Sequence, residues 1–155
     1  MNTGYTMRQA VRMLVGVGLV GLIGCGGKPY IATTNLSGDN EAPEVNTNAR
    51  GTATATLEGG ELTVQGTFSG LESNLYEVSG SSVHVHQGAT GVAGGIVFGL
   101  KVTTTDQRNG SFTGAQKLSS EEEQAFKSGL IYVNVHTTGH QGGEIRGQFI
   151  PVAQD

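Results

Sequence analysis

The chain has 155 residues, enough for one core of ordinary size, with 26 Gly, a single Cys and no Trp. Nine Lys/Arg against thirteen Asp/Glu give a formal charge of −4, and no basic patch is present to hold nucleic acid. One Cys excludes an intrachain disulfide, so an exported domain of this sequence must rest on its core.

Residues 1–24 read as an export signal. Arg8 and Arg12 precede the apolar run Met13–Ile23, which is too short to cross a bilayer as a mature helix. Leu22-Ile23-Gly24-Cys25 has the form of a bacterial lipobox, with cleavage before Cys25 and acyl chains anchoring the protein to a membrane surface. Gly26 follows, with no Asp to favour inner-membrane retention, so the expected location is the outer membrane or cell surface. Residues 25–30 then form a lipidated tether and residues 31–155 one domain. Without Arg8 and Arg12, residues 25–155 keep seven Lys/Arg against thirteen Asp/Glu, a net charge of −6.

Thr, Val and Gly dominate the domain, and the pattern is one of short strands. Ile31–Leu36 is the first. Ser37–Ala49 has the Gly, Asp, Asn and Pro of a loop. Gly51–Leu57 alternates Thr with Ala, and Leu62–Phe68 puts Leu62, Val64 and Phe68 on one face. Glu58-Gly59-Gly60-Glu61 between them suits a tight hairpin. After the polar connection Ser69–Ser81 comes Ser82–His86, with Val83 and Val85 on one face and His84 and His86 on the other. The Gly-rich Gln87–Gly95 lacks the Lys-Ser/Thr pair and following helix of a phosphate loop. Ile96–Thr104 is expected as one strand with Ile96, Phe98, Leu100 and Val102 inward, and Ser111–Lys117 returns with Phe112 inward.

Ser119–Lys127 is the one helical segment. It carries a capping box from Ser119 and Glu122 or Ser120 and Glu123, three carboxylates in its first turn, Lys127 in its last, and Gly129 beyond. Those carboxylates point in different directions and read as a solvated cap, not a Ca²⁺ site. Leu130–Phe149 is a final hairpin, with Val133 and Val135 on one face and Asn134 and His136 on the other. About eight strands, one helix and no βα alternation predict an all-β antiparallel sandwich or barrel.

The run Tyr132-Val133-Asn134-Val135-His136-Thr137, followed by Gly143-Glu144-Ile145-Arg146-Gly147-Gln148, resembles the signature of the CHRD domain. That family is named for its repeats in chordin and also occurs singly in bacterial secreted proteins. His84-Val85-His86-Gln87-Gly88 looks like the second hallmark, and the likeness covers roughly Ala32–Ile150. It implies the same all-β class, and it marks His84, His86 and His136 as a polar centre. His140 departs from the family pattern.

All four His of the chain lie in these two segments. Two on one strand face and one or two on another could give three or four nitrogens to a copper-class ion or zinc, since imidazole suits both. His84-Val85-His86 is similar to the copper-binding His-Val-His strand of Cu,Zn superoxide dismutase. Glu144, Arg146 and Asn134 are candidates for orienting the imidazoles, and Glu144 could instead pair with Arg146 at the surface. No catalytic residue is assigned. The reading is a membrane-anchored extracytoplasmic lipoprotein with a His metal site. The alternatives are a dismutase-like copper redox enzyme, with Arg146 as a charged guide, and a metal-free module for a protein partner or ligand.

Overall fold

A computed structural model describes Met1 and residues 27–155. Residues 2–26, on which the expected export signal and the lipidation site Cys25 fall, lie outside the described residues. Ten strands, one short 3-10 turn and one helix are described: β1 (Tyr30–Ser37), β2 (Arg50–Glu58), β3 (Glu61–Ser69), β4 (Val83–Gln87), β5 (Gly95–Gly99), β6 (Lys101–Thr104), β7 (Gly110–Lys117), α1 (Ser120–Lys127), β8 (Ile131–Val135), β9 (Ile145–Phe149) and β10 (Val152–Ala153).

All pairings between these strands are antiparallel, in the order β5-β4-β8-β9-β1-β2-β3-β7-β6, with β10 added at the start of β1. The two ends of that order, β5 and β6, are consecutive in the chain with Leu100 alone between them. The sheet is therefore a nearly closed barrel in which the covalent chain bridges the seam. Closure of this kind removes the exposed edges that an open sheet would present. The expected single strand Ile96–Thr104 is split here. Leu100 donates its N–H to Val83 O at 2.8 Å, its carbonyl accepts from Ser81 Oγ at 2.6 Å, and the chain beyond it pairs with β7. Leu100 and Phe98 are buried as expected, but Ile96 is 41% exposed and does not face the core.

A second thin seam lies between β9 and β1, which share the single register pair Ser37↔Arg146. The barrel thus has a four-stranded half, β5-β4-β8-β9, and a half built on β1-β2-β3-β7-β6. One apolar cluster runs through both: Ala53, Ala55, Leu62, Val64, Phe68 and Phe112 from the larger half, Val83, Val85, Val133, Val135, Ile145 and Phe149 from the smaller. Across β2–β3, Ala55 faces Val64 and Ala53 faces Gly66. The space goes to the neighbouring strand, because a Cβ on Gly66 would sit 2.4 Å from Phe112 Cζ.

Helix α1 has the expected capping box, Ser119 Oγ accepting from Glu122 N–H at 3.2 Å and Glu122 Oε2 accepting from Ser119 N–H at 2.8 Å. Its end closes with Gly129 N–H on Phe126 O and Leu130 N–H on Ala125 O, both 2.9 Å, the Schellman arrangement. Phe126 anchors the helix in the core at zero exposure.

Because Leu100 is the single residue spanning the seam and is 2% exposed, Leu100→Ala should destabilise the fold by roughly 2–5 kcal/mol, the usual range for a buried Leu truncation. Urea unfolding monitored by circular dichroism measures it; a loss under about 0.5 kcal/mol would mean the seam closes without this side chain.

Candidate metal centre

The strands β4 and β8 are neighbours in register, Val83↔Val135, His84↔Asn134, Val85↔Val133 and His86↔Tyr132. Their Val residues enter the barrel core, so the alternate residues His84, His86, Tyr132, Asn134 and His136 share the outer face. An outer face would ordinarily be wet. Here it is covered by loops, and His84, His86 and His136 are 0%, 6% and 4% exposed. His136, one residue beyond β8, is held by its own N–H on Ser82 O at 2.8 Å. That places it diagonally across from His84, within the reach of cross-strand neighbours.

The three rings form one cluster. Centroid separations are 5.0 Å for His84–His136, 5.7 Å for His84–His86 and 5.8 Å for His86–His136. One nitrogen from each ring lies within 4.8 Å of one from each of the others. Bonds of ~2.0–2.1 Å to a common ion require separations of at most about 4 Å, so ring movements of under about an ångström would complete the site.

Hydrogen bonding fixes the tautomers. His84 Nε2 lies 2.8 Å from Val78 O, His86 Nδ1 3.0 Å from Gly94 O and His136 Nδ1 2.8 Å from Gln141 O. A carbonyl oxygen can only accept, so in each neutral ring that nitrogen carries the proton. The remaining nitrogens, His84 Nδ1, His86 Nε2 and His136 Nε2, are bare acceptors, and all three are buried without a hydrogen-bond partner. Native interiors seldom leave such groups unmatched. Three of them in one cluster, each backed by a carbonyl on the opposite nitrogen, is the arrangement that metal-bound imidazoles need.

Electrostatics keep the rings neutral. Burial is the main cause that lowers the pKa of all three below the ordinary imidazole value, and each backbone carbonyl opposes it in part. His86 is pushed down to about 4, with His136, His84 and Arg146 adding repulsion. Neutral imidazole is the ligand form.

A polar layer surrounds the cluster. Tyr132 stacks on His86 at 5.0 Å and 10°, and the Arg146 guanidinium lies 3.5 Å from the centre of the Tyr132 ring. With β8 between β4 and β9, the three form a column, His86, Tyr132, Arg146. Arg146 is 2% exposed and donates to Val92 O, Ala89 O and Gln148 Oε1, so it clamps the 88–94 loop that supplies the Gly94 carbonyl. Tyr132 Oη accepts from Gly94 N–H at 3.0 Å. Arg146 therefore touches His86 only at one remove, through the Tyr132 ring and the loop that carries Gly94. It does not pair with Glu144 at the surface.

Glu144 is completely buried and accepts from Thr47 Oγ1, Glu72 N–H and Thr137 Oγ1 at 3.0, 2.9 and 2.8 Å. Its carboxylate ties three loops together and contacts no imidazole through these bonds. Asn134 donates to Gly142 O at 3.1 Å, in the 137–143 loop whose Gln141 carbonyl holds His136. His140, the expected fourth or optional ligand, is outside the converging set. Its backbone forms a turn with Thr137 and Gly143, and its side chain lines a separate hollow with Glu41, Ala42, Pro43 and Val45. The loop reverses too tightly for residue 140 to return to the face that residue 136 occupies.

Sequence reading missed two members of this layer. Tyr132 was legible, since alternation puts it on the face of Asn134 and His136. Glu41 was not, because it arrives from the irregular 38–49 loop. It is 7% exposed, its Oε1 is unpartnered, and it packs on Asn134 over Gly143. Gly143 has φ +132°, and a Cβ there would lie 2.3 Å from Glu41 Oε1 and 2.5 Å from Asn134 Nδ2, so any other residue would be strained there and would push Glu41 and Asn134 aside. Burial raises the Glu41 pKa from the ordinary 4.5 to about 7, against the opposing charge of Arg146 and the neighbouring Asn134 amide.

An all-antiparallel β barrel with a buried, carbonyl-oriented His triad on its covered outer face defines the class of this protein. The CHRD domain family matches residues 32–149, and the chain belongs to that family. No curated protein and no solved structure matches it at a significant level.

The site makes stability depend on pH in two opposing senses. The folded His86 resists a proton down to about pH 4, whereas an unfolded His takes one near 6.5. The unfolded chain thus binds more protons in that window, and stability falls as pH drops from about 6.5 towards 4. Glu41 holds its proton in the fold up to about pH 7, so its contribution is full below about 4.5 and is lost as pH rises through 7. Glu41→Gln should therefore be more stable than wild type by roughly 1–3 kcal/mol at pH 8, with no advantage at pH 4.5. Urea unfolding across that range tests it, and an equal offset at both pH values would show that Glu41 is not the titrating group.

Proposed function

We propose that this CHRD protein is a membrane-anchored extracytoplasmic module that holds one copper-class metal ion on His84, His86 and His136. The observation that carries the metal reading is the set of three buried, unpartnered ring nitrogens, each fixed as an acceptor by a carbonyl on the other side of its ring. A purely structural His would use its second nitrogen too, since an unmet buried polar atom costs about 1–3 kcal/mol. Strands hold the ligands, and loops fix their tautomers. Arg146 and Tyr132 seat His86, while Asn134 and Glu144 hold the loops in place. The ion itself would supply Lewis acidity or redox chemistry.

The membrane part rests on sequence. Arg8 and Arg12, the apolar run and Leu22–Cys25 support export and lipidation, and Gly26 in place of Asp supports an outer-membrane or surface location. The dismutase-like reading asks Arg146 to guide an anion, and a guanidinium 2% exposed with three acceptors and an aromatic ring around it is poorly placed for that.

Isothermal titration of purified protein with Cu(II), Zn(II) and, anaerobically, Cu(I) should give one site per chain for at least one of these ions. His84→Ala and His136→Ala should each weaken it at least 100-fold, and His140→Ala should change it less than about threefold. Three null titrations, with the variants properly folded by circular dichroism, would reduce the triad to polar framework. Separately, metabolic labelling with a fatty acid should mark wild type and not Cys25→Ser; equal labelling would remove the lipid anchor from the reading.

A further inference from the structure

The charge balance of the triad bears on which ion it holds. This inference rests on the metal reading above and names the ion's valence. The ligand group consists of three imidazoles and contains no carboxylate and no thiolate. Each ring N–H is already tied to a backbone carbonyl, so no ligand can become an anion without breaking a buried hydrogen bond. The ligand set is neutral. Beside it, across one aromatic ring, is a permanent cation: Arg146 lies 3.5 Å from the Tyr132 ring that stacks on His86. Neither buried carboxylate of the layer belongs to the converging set, and the charge of Glu41 falls on Arg146. Glu144 accepts three hydrogen bonds from Thr47, Glu72 and Thr137, and Glu41 packs on Asn134 over Gly143.

An ion placed here carries its whole charge into a buried site that already feels a positive guanidinium. The cost of taking an ion out of water rises with the square of its charge, so a divalent ion loses about four times as much as a monovalent one of similar size. Divalent zinc on three His ordinarily completes its shell with a water or hydroxide in an open fourth position. The three rings here are at most 6% exposed and lie under loops. Ligand softness does not decide the matter, because imidazole suits copper in general. Charge and coordination number do. We propose that the triad is a copper(I) site, three-coordinate and nitrogen-only, that discriminates against Cu(II) and Zn(II) by leaving their second positive charge uncompensated. Arg146 is then a selectivity residue as well as a loop clamp.

The test is a set of competition titrations on the full-length protein in detergent. Copper(I) is presented anaerobically as its bicinchoninate complex, and Cu(II) and Zn(II) are presented against chelators of known affinity. The expected result is one Cu(I) per chain, bound at least a thousandfold more tightly than Cu(II) or Zn(II), with X-ray absorption showing three nitrogen neighbours. His136→Ala should abolish it. Cys25→Ser should not, which separates the triad from a thiol that could also take Cu(I). Arg146→Met should narrow the Cu(I) over Cu(II) preference at least tenfold; where that variant does not fold, the wild-type ratio alone decides. Cu(II) or Zn(II) bound as tightly as Cu(I) would overturn the valence assignment and leave the metal site standing. Failure of all three ions would remove both.

Discussion

Everything distinctive in this molecule depends on burying a polar sheet face. A barrel wall normally shows its outer residues to water, and the strands β1 to β3 do so with rows of Thr, as in the Thr33–Thr54 and Thr52–Thr67 pairs. The wall formed by β4, β8 and β9 is instead covered by four loops, and its imidazole, amide, phenol and guanidinium groups are dry. Each must then find a partner inside the protein, since an unmet polar group in a low dielectric is costly. Nearly all do, through loop carbonyls and hydroxyls. The exceptions in the wall are the three bare imidazole nitrogens and Asn134 Oδ1, and Glu41 Oε1 from the covering loop is a further one. Three of these exceptions lie on the His triad, a group that could hold a metal ion.

The barrel makes such a wall rigid enough to use. Val83, Val85, Val133 and Val135 lock β4 and β8 into the core at zero exposure, and a one-residue slip would send the imidazoles inward and the valines out. The same constraint holds the His84–His136 diagonal at a spacing suited to a shared ion. Closure by Leu100 and by the Ser37↔Arg146 contact matters for the same reason. Arg146 sits at the thin β9–β1 seam, so the residue that clamps the 88–94 loop is also the one that registers the two halves of the barrel.

Buried ions in the wall are arranged for geometry more than for stability. Glu144 accepts hydrogen bonds from neutral groups, and Arg146 has two carbonyls, the Gln148 amide oxygen, a ring and the opposing charge of Glu41. Among the described residues the ion pair present is Lys127–Glu123 at 3.3 Å, partly exposed on the helix and of little energetic weight. The interior carboxylates organise loops, as shown by the three separate segments that converge on Glu144.

Alternation in the sequence determined much of this. It set the β class, the inward Leu62, Val64, Phe68 and Phe112, and the shared faces of His84 with His86 and of Asn134 with His136, because side-chain direction along a strand follows from period two alone; Gly-rich turns announced the Glu58–Glu61 hairpin, and the capping box announced the helix. The CHRD motif was legible in the same residues. The tertiary structure decided which strands are neighbours, and that required long-range pairing no local pattern encodes. It broke Ile96–Thr104 at Leu100, since closing a barrel demands a corner that apolar alternation does not announce. It set His140 apart, because a tight turn fixes direction by hydrogen bonds and not by spacing. It also brought Glu41 into the layer from an irregular loop, and it turned Glu144 and Arg146 from a surface pair into two separate buried anchors. Burial of both faces of one strand depends on loops distant in sequence, so only the folded chain could show it.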